Sequence, residues 1–253
     1  MKKKQLKQTI VCSGACLLML LCSIQGRAQL SIGVEGGYNK NYLVTNVSSL
    51  VSTQYNPMAG FRIGVPVVYS IHDWFAVKAA PGYLQKNSQM QRTGFYEGVY
   101  QNNTNGYLQL PVMGHFSFGG AKLKGFADLG GYAGYWINAR VQGTMPNILN
   151  PPAYTNITSN QQPNNVFDEY TPYSYNEKYQ FNTTKDNRLE LGLLAGAGIS
   201  YQLTNTYQLF GEATYYESLT DQQRKYEIGQ VPRYNQTYVL SLGILYTIGR
   251  KND

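Results

Sequence analysis

The sequence predicts an all-β fold: an eight-stranded antiparallel up-and-down transmembrane β-barrel with its apolar side chains outermost. Three observations carry that expectation. Apolar residues alternate with polar or small ones in run after run, the period of a strand whose successive side chains point to opposite sides. Tight turns and long polar connections alternate along the chain, the layout of barrels with short periplasmic turns and long external loops. A charged residue from nearly every run falls on the face opposite the apolar one.

The first segment stands apart. "MKKKQLKQTIVCSGACLLMLLCSIQGRAQ" carries Lys2, Lys3, Lys4 and Lys7, an apolar run from Ile10 to Ile24, then Gly26, Arg27 and Ala28, which is the layout of a secretory signal. That run is short for a spanning helix, which needs about 20 residues. Residues 1–28 are therefore read as a signal peptide cleaved after Ala28, and 29–253 as the barrel domain. A lipoprotein signal fits less well, because bulky Leu21 precedes Cys22 and Cys16 comes early in the apolar run. Cleavage leaves 16 of the 21 basic residues against 14 acidic ones, so the formal charge falls from +7 to +2. No argument for nucleic-acid binding survives. Cys12, Cys16 and Cys22 leave as well, which excludes a disulfide, a thiolate metal site and a cysteine nucleophile from the mature domain.

The eight runs follow in order. "LSIGVEGGY" sets Leu30, Ile32, Val34 and Tyr38 against Ser31, Gly33, Glu35 and Gly37. "FRIGVPVVYSI" sets Phe61, Ile63, Val65, Val67, Tyr69 and Ile71 against Arg62, Gly64, Pro66, Val68 and Ser70. Trp74 to Tyr83 is less regular and contains Lys78. "LQLPVMGHFSF" and "LKGFADLGGYAGYWI" bring His115 and Asp128 to the minority faces. "LELGLLAGAGISYQL" is the most regular, since every odd position from Leu189 to Leu203 is apolar, with Glu190 on the other face. "YQLFGEATYY" contributes Glu212, and "YVLSLGILYTI" closes the set. The tight turns fall at His72–Asp73, Gly119–Lys122 and Thr204–Thr206. The long polar stretches cover about 43–57, 86–106, 141–187 and 218–235.

A soluble barrel would place the apolar faces inside. The export signal, the loop alternation and apolar faces about 10 residues long argue for the reverse, that being the length of a tilted strand crossing a bilayer. Tyr38, Tyr69, Tyr135, Tyr207 and Tyr246 lie near run ends, as in an interfacial girdle, and 23 Tyr against 9 Phe favour rings with a polar tip. Lipid leaves no partner for an open sheet edge, so the sheet must close. Phe61, Ile63 and Val65 then face lipid and Arg62 points inward. Pro66, Pro81 and Pro111 cannot donate to a ladder, and bulges are expected there.

"GYLQLPVM", "FADLGGYAGYWI", "LELGLLAGAGISYQL" and "YVLSLGILYTIG" together resemble the outer-membrane β-barrel family labelled porin-family or PorT-like, over essentially the whole mature chain. The resemblance implies a bacterial outer-membrane location and the barrel fold, and no shared catalytic residues. The family's closing strand usually ends in an aromatic residue read by the barrel assembly machinery. Here Ile248 holds that place, followed by "GRKND", and Tyr246 on the same face is the stand-in.

The inward residues Glu35, Arg62, Lys78, Asp128, Glu190 and Glu212 are expected to form a structural polar network that plugs the barrel, because an eight-stranded barrel is just wide enough for its own side chains. A proton or solute path is the alternative. His115 should lie toward the periplasmic end with Ser117 on the same face, but no acid partner is evident, so no catalytic residue is assigned. No P-loop, dinucleotide fingerprint or metal-ligand spacing appears, and no cofactor is expected. The stretch 141–187 holds five Pro, nine Asn and five Tyr, a composition suited to contacting a surface glycan or a protein. Tyr154, Tyr170, Tyr173, Tyr175 and Tyr179 are the candidate binding surface. The expected partners are thus outer-membrane lipid, the assembly machinery, and a glycan or protein at the loops. The function read from these features is structural or interaction-based and not enzymatic, with a secretion-system accessory or a lipid-modifying enzyme as alternatives.

Overall fold

The computed structural model describes residues 29–46, 52–149 and 165–248. The expected signal peptide, Tyr154 and the last five residues lie outside the described residues. Twelve strands make one antiparallel sheet: β1 (Gln29–Val44), β2 (Thr53–Gly64), β3 (Val67–His72), β4 (Phe75–Ala79), β5 (Gly82–Gln85), β6 (Ser88–Arg92), β7 (Tyr100–Gly119), β8 (Leu123–Pro146), β9 (Pro172–Lys178), β10 (Leu189–Gln202), β11 (Tyr207–Ser218) and β12 (Tyr234–Ile248). A single 3₁₀ turn at Gly94–Tyr96 and a short helix, α1 (Val166–Glu169), are the helical pieces among the described residues.

The sheet has twelve strands rather than the expected eight: two breaks fall where a proline has no N–H to give, a third falls at Lys86–Asn87, and β9 is an additional strand. Val65–Pro66 separates β2 from β3, and Ala80–Pro81 separates β4 from β5. Lys86–Asn87 makes a third break, between β5 and β6. The wall stays knit across the proline breaks through carbonyl acceptors. Gly33 N–H donates to Pro66 O at 2.9 Å, Val65 N–H to Pro81 O at 2.9 Å, and Ala80 N–H to Pro111 O at 3.2 Å. Each proline thus keeps the accepting half of a ladder position and loses only the donating half. Pro111 remains inside β7, opposite Tyr132. The bulges expected at the prolines lie elsewhere, at Ser70/His72 and Gly106/Tyr107, where the register shifts.

The pairing runs in a circuit. Lys40 on β1 pairs with Tyr238, then the register passes to Tyr215, Ala195, Leu129, Gly114, Val77 and Tyr69, and returns to β1 at Leu30, ten residues earlier. With strands about 4.8 Å apart and rising about 3.3 Å per residue, that offset corresponds to a strand tilt of roughly 40°, within the range that barrel closure requires.

The faces sort as the alternation predicts: Ile63 is 59% exposed while its neighbour Arg62 is 2% exposed. Leaving a Leu or Ile side chain in water forgoes roughly 1.5–3 kcal/mol of burial. The outer face repeats this at Leu30, Ile32, Val34, Leu108, Leu110, Leu129, Leu193, Leu240 and Leu242. An apolar surface of that extent suits a lipid solvent. At the end with tight turns, Trp74, Phe75 and Phe116 cluster with ring centroids 5.2–6.3 Å apart, and Tyr207 meets Tyr246 at 5.3 Å. The opposite rim carries Tyr42, Tyr215 and Tyr238.

The stretches expected to be loops are partly wall. β2 begins at Thr53, β6 and the start of β7 occupy most of 86–106, β8 continues to Pro146, β9 lies inside 141–187, and β12 begins at Tyr234. Both faces of these extensions are largely polar, so hydrophobic alternation stops while backbone pairing continues.

Candidate functional site

Inside the circuit, the side chains form stacked layers. Near the tight-turn end Val68, Ala76, Phe126, Phe210 and Leu245 pack together. Leu84, Met113, Tyr132, Leu194, Tyr216 and Val239 form a second cluster, and Tyr107, Trp136 and Ala139 a third toward the long-loop end. Between and beside them sit the charges, and all six predicted inward residues are buried.

Each buried cation has a carboxylate and an aromatic ring. Arg62 Nε donates to Glu35 Oε1 at 2.7 Å, and its Nη2 donates to the Ala80 carbonyl at 2.9 Å. Its guanidinium lies 5.9 Å from the Tyr216 ring centre. Lys78 Nζ donates to Asp128 Oδ2 at 2.9 Å and also to Glu212, whose other oxygen accepts from Thr214 Oγ1 at 2.9 Å. The rings of Phe126 and Phe210 lie 5.4 and 5.5 Å from that ammonium. Sequence reasoning missed Lys86, which it assigned to a loop. Lys86 is fully buried, pairs with Glu190, and lies 4.8 and 5.4 Å from the rings of Tyr132 and Tyr107. Tyr132 Oη donates to Glu190 Oε1 at 2.7 Å and Asn235 Nδ2 to Oε2 at 2.8 Å. Continuing the parity of Lys78 by eight residues reaches Lys86 on the same face, a signal hidden by the break at Lys86–Asn87.

The six predicted residues therefore do not form one network. They divide into the pair Glu35–Arg62, the group Lys78–Asp128–Glu212, and Glu190 with Lys86. Four acidic side chains meet three basic ones, Arg62, Lys78 and Lys86, and His115 supplies a further partner, with its Nδ1 2.6 Å from Asp128 Oδ1. The acid that the sequence left unassigned is thus Asp128. No hydrogen bond joins Ser117 to His115 among the described residues, so a nucleophile–base pair is not assembled. The glycines of β10 make room for this core. A Cβ on Gly192 would run into the Tyr132 ring, and one on Gly198 into the Phe126 ring, the rings that face Lys86 and Lys78.

A cavity lies on either side of this core, one toward each end of the barrel. The one at the tight-turn end has a volume of about 1110 Å³ and is reached by His72, His115, Ser117 and Lys124. The one at the long-loop end, about 310 Å³, lies against Trp136, Asn105 and Gln101.

The five candidate tyrosines do not make one surface. Tyr154 lies outside the described residues. Tyr170 closes the α1 turn, its N–H donating to Val166 O at 3.0 Å. Tyr173 and Tyr175 stand on β9, paired to β8, and Tyr175 Oη donates to Gln101 Oε1 at 3.2 Å. Tyr179 turns inward, stacks on Trp136 at 5.9 Å, and donates to Asp186 Oδ1 at 2.9 Å. Burial and then the bond to Asp186 push its hydroxyl up to about 12. The sequence reads as loop here, but backbone pairing holds Tyr173 and Tyr175 and ring stacking holds Tyr179.

The profile of the family described as outer membrane protein beta-barrel domain matches residues 25–223. Among solved structures, the chain resembles the outer membrane protein OprG from Pseudomonas aeruginosa at 12% identity, covering 89% of this chain and 99% of that one, with a TM-score of 0.45. It also resembles Neisserial surface protein A at 11% identity, with 86% and 96% covered and a TM-score of 0.40. Ail, the attachment invasion locus protein of Yersinia pestis, matches at 12% identity, with 85% and 97% covered and a TM-score of 0.38. No curated protein sequence matches the chain. With its outward apolar face, its circuit of antiparallel pairing and a profile match across most of its length, the chain belongs to the outer membrane protein beta-barrel domain family of the bacterial outer membrane.

Proposed function

We propose that this chain is an eight-staved outer-membrane barrel whose lumen is shut by its own side chains, and that it acts by contact through its external, long-loop end. β2 with β3, and β4 with β5 and β6, each count as one stave; β9 is an extension of the wall beyond the membrane. Export through a signal peptide cut after Ala28 and insertion by the barrel assembly machinery fit this reading, as does the sequence likeness to PorT-like proteins. The protein then has no catalytic residues and needs no cofactor. Its partners are outer-membrane lipid around the wall and a glycan or protein at the external end.

The observation that carries the closed lumen is the packing of Lys86–Glu190, Arg62–Glu35 and Lys78–Asp128–Glu212 between apolar layers. A barrel of about eight strands has little interior volume beyond that needed by its side chains. Purified protein reconstituted in planar bilayers should show no stable conductance. Sustained unitary current steps would overturn the plug and favour a solute channel.

A further inference from the structure

Two chain segments fold inward over the long-loop end and meet above Trp136. Asp186 bridges to Gln223, Asn187 N–H donates to Gln222 O at 3.0 Å, and Arg224 N–H donates to Lys185 O at 2.8 Å. Gln222 Nε2 reaches down to the Tyr107 hydroxyl at 3.0 Å, which ties the segments to the interior. Between them and the walls of β6, β7 and β8 lies the vestibule of about 310 Å³. That volume is at the small end for ligand pockets, roughly 300–1,000 Å³.

Its lining has unmet hydrogen-bonding capacity of a particular kind. Trp136 is 7% exposed, and its indole N–H is buried with no partner. Tyr107 and Tyr179 stack on this ring at 6.0 and 5.9 Å and Phe181 packs against it at 4.9 Å with its plane at 83°, so the indole nitrogen is the polar atom of this aromatic cluster that still lacks a partner. Gln101 donates to Asn103 Oδ1 at 2.8 Å, leaving the Asn103 NH₂ unused, and the side-chain amide of Gln223 has no bond among the described residues. Side-chain amides pair donor and acceptor on one plane, which matches hydroxyl groups that both give and accept. Charge adds direction. Asp186 has both oxygens engaged, by Tyr179 Oη at 2.9 Å and by the Asn182 N–H at 2.6 Å. Arg233, half-buried in the same lining, joins no ion pair among the described residues. A guanidinium in that position suits a planar carboxylate.

We propose that this vestibule binds a small acidic sugar of the hexuronate class, its hydroxyls taken by Asn103, Gln223 and the Trp136 N–H and its carboxylate by Arg233. The proposal deepens the contact role above and rests on it, since the pocket must open to the outside of the cell.

The chain has two tryptophans, so a Trp74→Phe variant reports from Trp136 alone. Folded full-length protein in detergent, its fold checked by heat-modifiable migration, is titrated with D-glucuronate, D-galacturonate and D-glucose. Trp136 emission should change saturably, with at least one uronate binding about tenfold more tightly than glucose, the scale of one charge-assisted hydrogen bond. Arg233→Gln should bring the uronates to the glucose level, and Gln223→Ala should weaken all the sugars that bind. The proposal is overturned if neither uronate gives a saturable change or retention of labelled glucuronate in equilibrium dialysis, or if Arg233→Gln leaves uronate affinity unchanged. Ile228→Cys, on the fully exposed part of the same segment, probed on intact cells with an impermeant maleimide, separates the two readings. Labelling without sugar binding defeats the sugar site alone, whereas absence of labelling defeats the external placement and the contact role with it.

Discussion

The two halves of the barrel interior neutralise their lysines by different means. In the tight-turn half, Lys78 lies between Asp128 and Glu212, and Asp128 is held on its other side by His115. In the long-loop half, Lys86 has one carboxylate, and Glu190 spreads its charge over Tyr132 and Asn235. The first arrangement balances charge with charge, the second with oriented dipoles. Removing a cation should therefore have unequal consequences: two carboxylates are left facing each other in one half, one hydrogen-bonded carboxylate in the other.

The largest effect is expected from Lys78→Met, which should destabilise the folded barrel by about 3–5 kcal/mol. Lys86→Met should cost less, because Tyr132 and Asn235 remain on Glu190. Urea unfolding in lipid vesicles measures both, and equal losses would erase the distinction. Next in size is Glu190→Gln, expected to cost about 3 kcal/mol by leaving Lys86 without its counter-charge in a fully buried site. The double variant Lys86→Met/Glu190→Gln should recover most of that loss, since a neutral pair replaces the unpaired charge; a double-mutant cycle reads the coupling. His115→Ala should cost about 1–2 kcal/mol by removing one hydrogen bond from buried Asp128, leaving the long-loop half unaffected.

The smallest effect concerns the segments over the long-loop vestibule. The Tyr179 hydroxyl is held near 12, above the ordinary tyrosine value of 10.0, so its protonated form is favoured in the folded state. The stabilisation it gives is fully present below pH 10 and is lost as pH rises through about 12. Trp136 emission in the Trp74→Phe background should report a loosening over that window. Tyr179→Phe should remove the share of that change that the Tyr179 hydroxyl contributes.

Side-chain alternation was enough to identify Glu35, Arg62, Lys78, Asp128, Glu190 and Glu212 as inward, because apolar neighbours on the lipid side fix the parity of each run. It failed where lipid no longer does so. Thr53–Asn56, Ser88–Arg92 and Arg140–Pro146 have polar residues on both faces, yet their backbones continue the ladder. Lys86 was lost for a related reason: it sits at a break, followed by Asn87 and Ser88, where no apolar partner marks the outside. The grouping of the charges into three sets was also illegible, since parity gives direction but cross-strand register decides which charges meet. His115 could be placed inward, but its bond to Asp128 depends on β7 and β8 pairing at those two residues.

β8 has 24 residues. At about 3.3 Å per residue and a tilt near 40°, such a strand rises about 60 Å, whereas the apolar band of these barrels is about 25 Å tall. With β7 on one side and β9 on the other, its upper part is a stiff paired blade standing clear of the bilayer. With the long-loop end external, as proposed above, an antibody approaching the cell would meet an ordered sheet epitope held at a fixed height.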